Sequence, residues 1–289
     1  MRVLVQALVA SVALGFGGYT LAADMPMYSK APAPAAFDWG GVYIGGHIGG
    51  GWDTVTYADP GAGSTLNNCC LLISTTNMPT GSTKSNNSSF LGGGQVGWMY
   101  QIGRLVVGSD VDWSSTSLKT TGAGPTFSAI LPGGPFSNET YSLKTSWTAT
   151  STAVVGVARD HWLFYSKAGV AWAHDDYGVG VSGIGGTFGA AGGLPFAFTG
   201  VNTETVTGWT VGVGLKWAMT DNWFFNVEYN YLDFGSKAQD LNGVFTARPA
   251  GFLPGASNGA TFSPTFNQNI SEVKVGLNYK FSPGFLIFF

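Results

Sequence analysis

From Trp223 to Phe234 the chain alternates. Trp223, Phe225, Val227, Tyr229 and Tyr231 form one face, and Phe224, Asn226, Glu228 and Asn230 form the other. A strand sends successive side chains to opposite sides, so a period of two reads as a half-buried β-strand. The apolar face is aromatic-rich, and the other carries a carboxylate and two amides. The same alternation marks segments near 41–53, 88–100, 104–114, 141–158, 162–175, 203–218, 223–234 and 268–281. The connections at 101–103, 159–161 and 219–222 are short and hold Gly103, Asp160, Asp221 and Asn222, residues that suit hairpin turns. Those near 54–87, 115–140, 176–202 and 235–267 are long and rich in Gly, Ser, Thr, Asn and Pro. Short turns at one end and long loops at the other predict an all-β fold, an eight-stranded antiparallel up-and-down transmembrane β-barrel. Its apolar faces meet lipid and its polar faces line the interior. An even strand count puts both termini at the short-turn end, expected to be periplasmic.

Aromatic spacing supports the same reading. Trp162 and Trp172 lie ten residues apart on one face; Trp209 and Trp217 lie eight apart, as do Trp223 and Tyr231. A strand tilted by about 45° covers roughly 19–23 Å over that spacing, close to the ~25 Å apolar band between the two aromatic girdles of such barrels. Trp52, Trp113, Trp147, Trp172, Trp209 and Tyr231 are expected at the outer girdle. Trp162, Trp217, Trp223, Tyr279 and Phe281 are expected at the inner one.

The alternation also assigns the interior. His47, Gln95, Asp110, Asp112, Lys144, Lys167, Asp175, Lys216, Glu228, Glu272 and Lys274 are predicted to point inward. An eight-stranded barrel is only wide enough for side chains to fill, so these charges should form a bonded plug and not line a wide channel. Glycines at 45, 49, 93, 97, 108, 156, 169, 212, 214 and 276 would relieve crowding there.

The front end reads as a secretory signal over residues 1–23: Arg2, an apolar core Val3–Leu14, and small residues for cleavage after Ala22 or Ala23. Residues 24–38 form a Pro/Ala-rich periplasmic lead-in, residues 39–281 the barrel, and residues 282–289 an apolar tail. The net charge of −3 gives no basic footprint for nucleic acid. Cys69 and Cys70 are the only cysteines; in an exported chain they can form a vicinal disulfide, pair between chains or stay reduced. Neither they nor the histidines have metal-ligand spacing, and no cofactor is indicated.

The last strand ends Lys274-Val275-Gly276-Leu277-Asn278-Tyr279-Lys280-Phe281. This resembles the assembly signal read by the outer-membrane insertion machinery, carried here by Lys274, Gly276, Tyr279 and Phe281. The signal usually closes a chain; here eight residues follow, beginning Ser282-Pro283, and Pro283 cannot donate to the ladder. The opening, Phe37-Asp38-Trp39-Gly40-Gly41-Val42-Tyr43-Ile44-Gly45-Gly46, resembles the first strand of the alphaproteobacterial outer-membrane barrels known as porin-family or outer membrane immunogenic proteins. With the signal, lead-in, ending and strand plan, the resemblance covers most of the chain. It implies a surface-exposed barrel of the Gram-negative outer membrane with envelope-stabilising and host-interaction roles, and it does not imply a catalytic site.

Expected partners are therefore outer-membrane lipid and lipopolysaccharide, the insertion machinery, and an unidentified extracellular or host ligand at the loops. A narrow diffusion channel for small solutes is the alternative; an unbroken water path through the interior would favour it. A lipid-modifying enzyme is a remote third reading. His174, beside Asp175 and Asp176, is the only histidine expected near the outer leaflet. Gly183–Gly189 lacks the context of a phosphate loop, and Asp110 with Asp112 reads as lumen salt-bridging.

Overall fold

The alternating segments are realised as strands long enough to outrun a bilayer. The computed structural model describes residues 37–59, 81–124, 127–128, 136–185, 194–247 and 259–281. The signal, most of the lead-in, Cys69, Cys70 and the tail lie outside the described residues. The strands are β1 (Gly41–Asp59), β2 (Gly81–Ile102), β3 (Leu105–Ala123), β4 (Phe127–Ser128), β5 (Phe136–Arg159), β6 (Trp162–Gly185), β7 (Leu194–Ala218), β8 (Trp223–Ala238), β9 (Leu241–Ala247), β10 (Gly259–Phe262) and β11 (Thr265–Lys280).

Eight of them close a ring in the order β1-β2-β3-β5-β6-β7-β8-β11, every neighbour antiparallel and β11 returning to β1. One circuit of the register runs Tyr43, Gly97, Asp110, Thr152, Gly169, Thr210, Leu232, Ile270 and back to β1 at Asp53. The return falls ten residues from the start. That stagger tilts the strands and fixes which inward side chains meet across the lumen. The short β4 pairs with β5; β9 pairs with the far end of β7, and β10 with β9.

The short connections are tight. Gly103 has φ +61° between β2 and β3, a conformation that costs glycine nothing. Asp160 takes φ +55° between β5 and β6, where a short polar side chain is among the few tolerated. Two of the predicted relief glycines show what a side chain would cost. A Cβ on Gly97 would land on the Tyr43 ring, and one on Gly214 on the Tyr165 ring. Both tyrosines lie flat against inward glycine faces.

At the long-loop end the strands run well past the predicted limits: β6 continues to Gly185 and β7 begins at Leu194, where a loop over 176–202 was expected. Spanning a membrane takes about 9–11 residues, whereas these strands have 24 and 25. The sequence disguised the extensions because their outward positions are Gly, Ser and Thr, a loop-like composition. On β6 the inward positions Tyr177 and Val179 are still apolar. Those inward residues join Val55, Tyr57, Leu118, Tyr141, Leu143, Leu232, Phe266 and Ile270 in an apolar core inside the extension. Tyr57 and Tyr141 stack there at 4.5 Å and 6°.

One inward assignment is overturned. Lys144 is exposed and points outward. The pairing of β5 with β6 slips by one residue between Thr145 and Trp147, leaving Ser146 as a bulge. A single inserted residue exchanges the two faces of everything beyond it. Inward positions therefore pass from Thr148, Thr150 and Thr152 to Thr145, Leu143 and Tyr141.

Candidate functional site: the filled lumen

The inward residues sort into three layers along the barrel axis. At the short-turn end, Phe37 and Trp39 enter the mouth and pack with Tyr43, Met99, Leu163, Tyr165 and Phe224. Trp39 is fully buried, edge-on to Phe224 at 5.6 Å, and its backbone N–H donates to Gln101 Oε1 at 2.8 Å. Phe37 was assigned to the lead-in by sequence; it lies against the stopper, with the Lys280 ammonium 4.2 Å from its ring centroid.

Above the stopper lies the charge layer, built from β3, β6, β8 and β11. Lys167 Nζ sits 3.4 Å from Asp110, 3.4 Å from Asp112 and 3.0 Å from Glu228. Lys274 Nζ sits 2.6 Å from Asp112 and 2.9 Å from Glu272. Asp112 thus bridges the two ammonium groups. Hydroxyls occupy the remaining acceptor positions: Thr150 donates to Asp112 (2.6 Å), Thr148 to Glu272 (3.0 Å), Tyr165 to Glu228 (2.8 Å) and Tyr43 to Asp110 (2.5 Å). All of these groups are buried. A buried charge persists only when paired and hydrogen-bonded, and each carboxylate here meets both conditions.

Lys216 is inward but among the described residues is paired with no carboxylate, contrary to its expected place among the acids. It donates to the Tyr43 hydroxyl at 3.0 Å. The Tyr43, Tyr165 and Phe224 ring centroids lie 4.3, 5.0 and 5.3 Å from its ammonium. Tyr43 thereby links Lys216 to Asp110. His47 pairs with Ser114 at 2.8 Å. Gln95 donates to Asn278 at 2.5 Å, and Asn278 to Asn226 at 2.8 Å. Asp175 is buried one layer further out, hydrogen-bonded by Thr145 (2.6 Å) and Tyr177 (3.2 Å) and meeting no lysine among the described residues.

The third layer is the apolar core of the extension. Together the three layers place buried side chains at successive levels of the described bore. Sequence reasoning missed Tyr43, Tyr165 and Trp39; odd numbering on the same strands as His47 and Lys167 was enough to turn the two tyrosines inward, whereas Trp39 precedes β1 and carried no such signal.

The tryptophans Trp52, Trp113, Trp162, Trp209, Trp217 and Trp223 are all outward and exposed, with Trp147 and Trp172 outward and partly covered. Trp98, which the sequence reading left out, joins them. Aromatic contacts gather at two levels. Trp162 stacks with Trp217 (5.9 Å), and Trp223 meets Tyr279, which meets Phe281, near the short turns. Trp209 meets Tyr231 and Trp147 stacks on His174 toward the long loops. Of the C-terminal motif, Lys274 and Gly276 face inward and Tyr279 and Phe281 outward. A Cβ on Gly276 would strike the Asn226 side chain. Phe281 N still donates to Val42 O at 2.8 Å, one residue beyond β11.

Among the described residues the remote catalytic grouping is not brought together. His174 bonds Thr205 (3.0 Å), Asp175 points to the opposite face, and Asp176 accepts from Thr203 (2.8 Å). Among the described residues no cluster of three or more His, Cys, Asp or Glu side chains is placed to hold a metal.

A closed antiparallel ring with tryptophans outside and bonded charges inside defines a membrane-spanning β-barrel. The chain belongs to the outer membrane protein beta-barrel domain family, whose model matches residues 25–281. It is 28% identical to the 31 kDa outer-membrane immunogenic protein of Brucella melitensis, over 95% of this chain and 98% of that one. It is 26% identical to the 22 kDa outer membrane protein of Rhizobium leguminosarum bv. viciae, over 97% and 100%. Among solved structures, Neisserial surface protein A aligns at 15% identity and TM-score 0.31, covering 83% of this chain and 97% of that one. Ail of Yersinia pestis aligns at 11% and 0.33, covering 84% and 99%.

Proposed function

We infer that this outer-membrane barrel is a structural and surface-interaction protein, held with its long loops outside the cell and both termini in the periplasm. The observation that carries the reading is the filled lumen. The stopper, the charge layer and the apolar outer core each occupy the bore, and a solute pathway would have to break all three. That disfavours a diffusion channel. The scattered neighbours of His174 likewise favour a role without catalysis. The word immunogenic in the names of the Brucella relatives supports a chain displayed at the surface. Its expected partners are the surrounding lipid and lipopolysaccharide, the insertion machinery at Tyr279 and Phe281, and an extracellular ligand at the loops.

The test is a deletion strain. Cells lacking the chain should leak a periplasmic marker and become sensitive to detergent, and re-expression should restore both. Unchanged detergent sensitivity would remove the envelope role. Orientation is read separately: a cysteine placed at Ala123, exposed at the long-loop end of β3, should be labelled on intact cells and one at Asp221 should not.

A further inference from the structure

The bulge at Ser146 turns Lys144 outward, directly opposite another lysine. Lys119 on β3 and Lys144 on β5 are Cα partners, and both side chains are exposed on the outer surface. Like charges facing each other across a ladder disfavour the pairing. Neither forms an ion pair among the described residues. Asp176, the partner of Lys144 on its other side, accepts a hydrogen bond from Thr203 instead. Lys84, on the neighbouring β2, is exposed on the same surface, and Asn87 of that strand bonds the Lys119 carbonyl. Around them the outward positions are Ser117, Thr121, Ser142 and Asp176, so the patch is hydroxyl-rich and keeps a net positive charge from its three lysines.

Its height matters. Lys144 lies three residues beyond Trp147, and Lys119 six beyond Trp113. At about 3.3 Å per residue and roughly 45° of tilt this is about 7–14 Å past the tryptophan level. Headgroups, not acyl tails, occupy that zone. Beneath the patch the outward face of β5 narrows to Ala149, Ser151 and Ala153. Trp113 and Trp172 flank Ala149 as its register partners on either side. The slot leads to an apolar hollow of about 610 Å³ lined by Ala153, Ala168, Val211, Val213 and Tyr229. Cations above an apolar slot fit an amphiphile with an anionic head.

We propose that Lys84, Lys119 and Lys144 bind the phosphorylated saccharide headgroup of an outer-leaflet glycolipid, with an acyl chain of the same molecule in the slot and hollow on β5–β8. The phosphate relieves the lysine–lysine repulsion, and the small side chains admit the chain. The site rests on the outward orientation inferred above. Labelling a Lys119→Cys variant on intact cells tests that orientation independently of binding.

The binding test uses the full-length barrel in detergent, titrated with bisphosphorylated lipid A and with its dephosphorylated form, followed by tryptophan fluorescence. The bisphosphorylated lipid should bind at least tenfold more tightly. Lys119→Gln with Lys144→Gln should abolish that difference, and Ala153→Phe should weaken both lipids. Arg104→Gln, at the short-turn end, should change neither, and heat-modifiable mobility confirms that each variant is folded. Equal affinity for the two lipids, or a double variant that binds like the parent, overturns the proposal. So does competition by heparin as strong as by the lipid, which would make the ligand a soluble polyanion.

Discussion

Lys167 touches three carboxylates and Lys216 touches none among the described residues, so two buried lysines of one lumen should behave differently when neutralised. Lys167→Met leaves Asp110, Asp112 and Glu228 without their shared cation. Stranding buried charges in this way costs roughly 3–5 kcal/mol, and Lys274 can offset only the Asp112 share because it contacts Asp112 and Glu272. Lys216→Met removes contacts with aromatic rings and two hydrogen bonds, to the Tyr43 hydroxyl and the Met99 sulfur, but it also removes a buried charge; the loss should be about 1–2 kcal/mol. Urea unfolding in detergent separates the two, and equal losses would mean that Lys216 finds a carboxylate in solution. This contrast was not legible in the sequence. Alternation along a single strand turns a residue inward, but its partner is chosen by the ten-residue stagger around the ring. That stagger brings Lys167 of β6 to Asp110 of β3 and Glu228 of β8. Tyr43 and Tyr165 were legible by numbering, but their role appears only once Asp110 and Glu228 are found beside them.

At the scale of the element, alternation and turn chemistry located the ring strands and the tight hairpins, because Gly103 and Asp160 sit where left-handed conformations are needed. The outer ends were hidden, since strands standing clear of lipid carry Ser, Thr and Gly on the outward face. The bulge was hidden too: nothing in Lys144-Thr145-Ser146-Trp147 marks Ser146 as the extra residue. Deleting Ser146 should restore unbroken alternation with Lys144 still outward and Leu143 and Tyr141 still inward, because only the extra residue is lost. The variant should therefore keep the heat-modifiable form, and a cysteine replacing Lys144 in it should react with a water-soluble maleimide as it does in the full-length barrel. Loss of that labelling would show that Ser146 is not the residue that sets the face of outer β5. The end of β11 offers a second case. Phe281→Ala should slow insertion, seen as less folded barrel per unit of expressed chain, while removal of residues 282–289 should change little. If removal of that tail blocked assembly and Phe281→Ala did not, the signal would lie in Ile287-Phe288-Phe289.

For the whole molecule, the ring of eight strands has three consequences that follow from its size. It is wide enough only for side chains, so the inward charges must meet and pair. It has no free edges within the membrane-spanning part, so every ladder there is completed by a neighbour. Its long strands carry the pairing beyond the bilayer, giving the outer part an apolar core of its own and a polar outward face. These features describe a closed ring in the membrane with inward side chains occupying its bore. That filled bore is the central claim, and conductance across a planar bilayer tests it most directly. Purified full-length barrel, inserted with its folded state confirmed by heat-modifiable mobility, should give a flat current trace. Trp39→Ala should stay flat as well, because the charge layer and outer core remain in place. Stable, discrete current steps from the parent protein, rising with salt concentration, would contradict the account and make the barrel a channel.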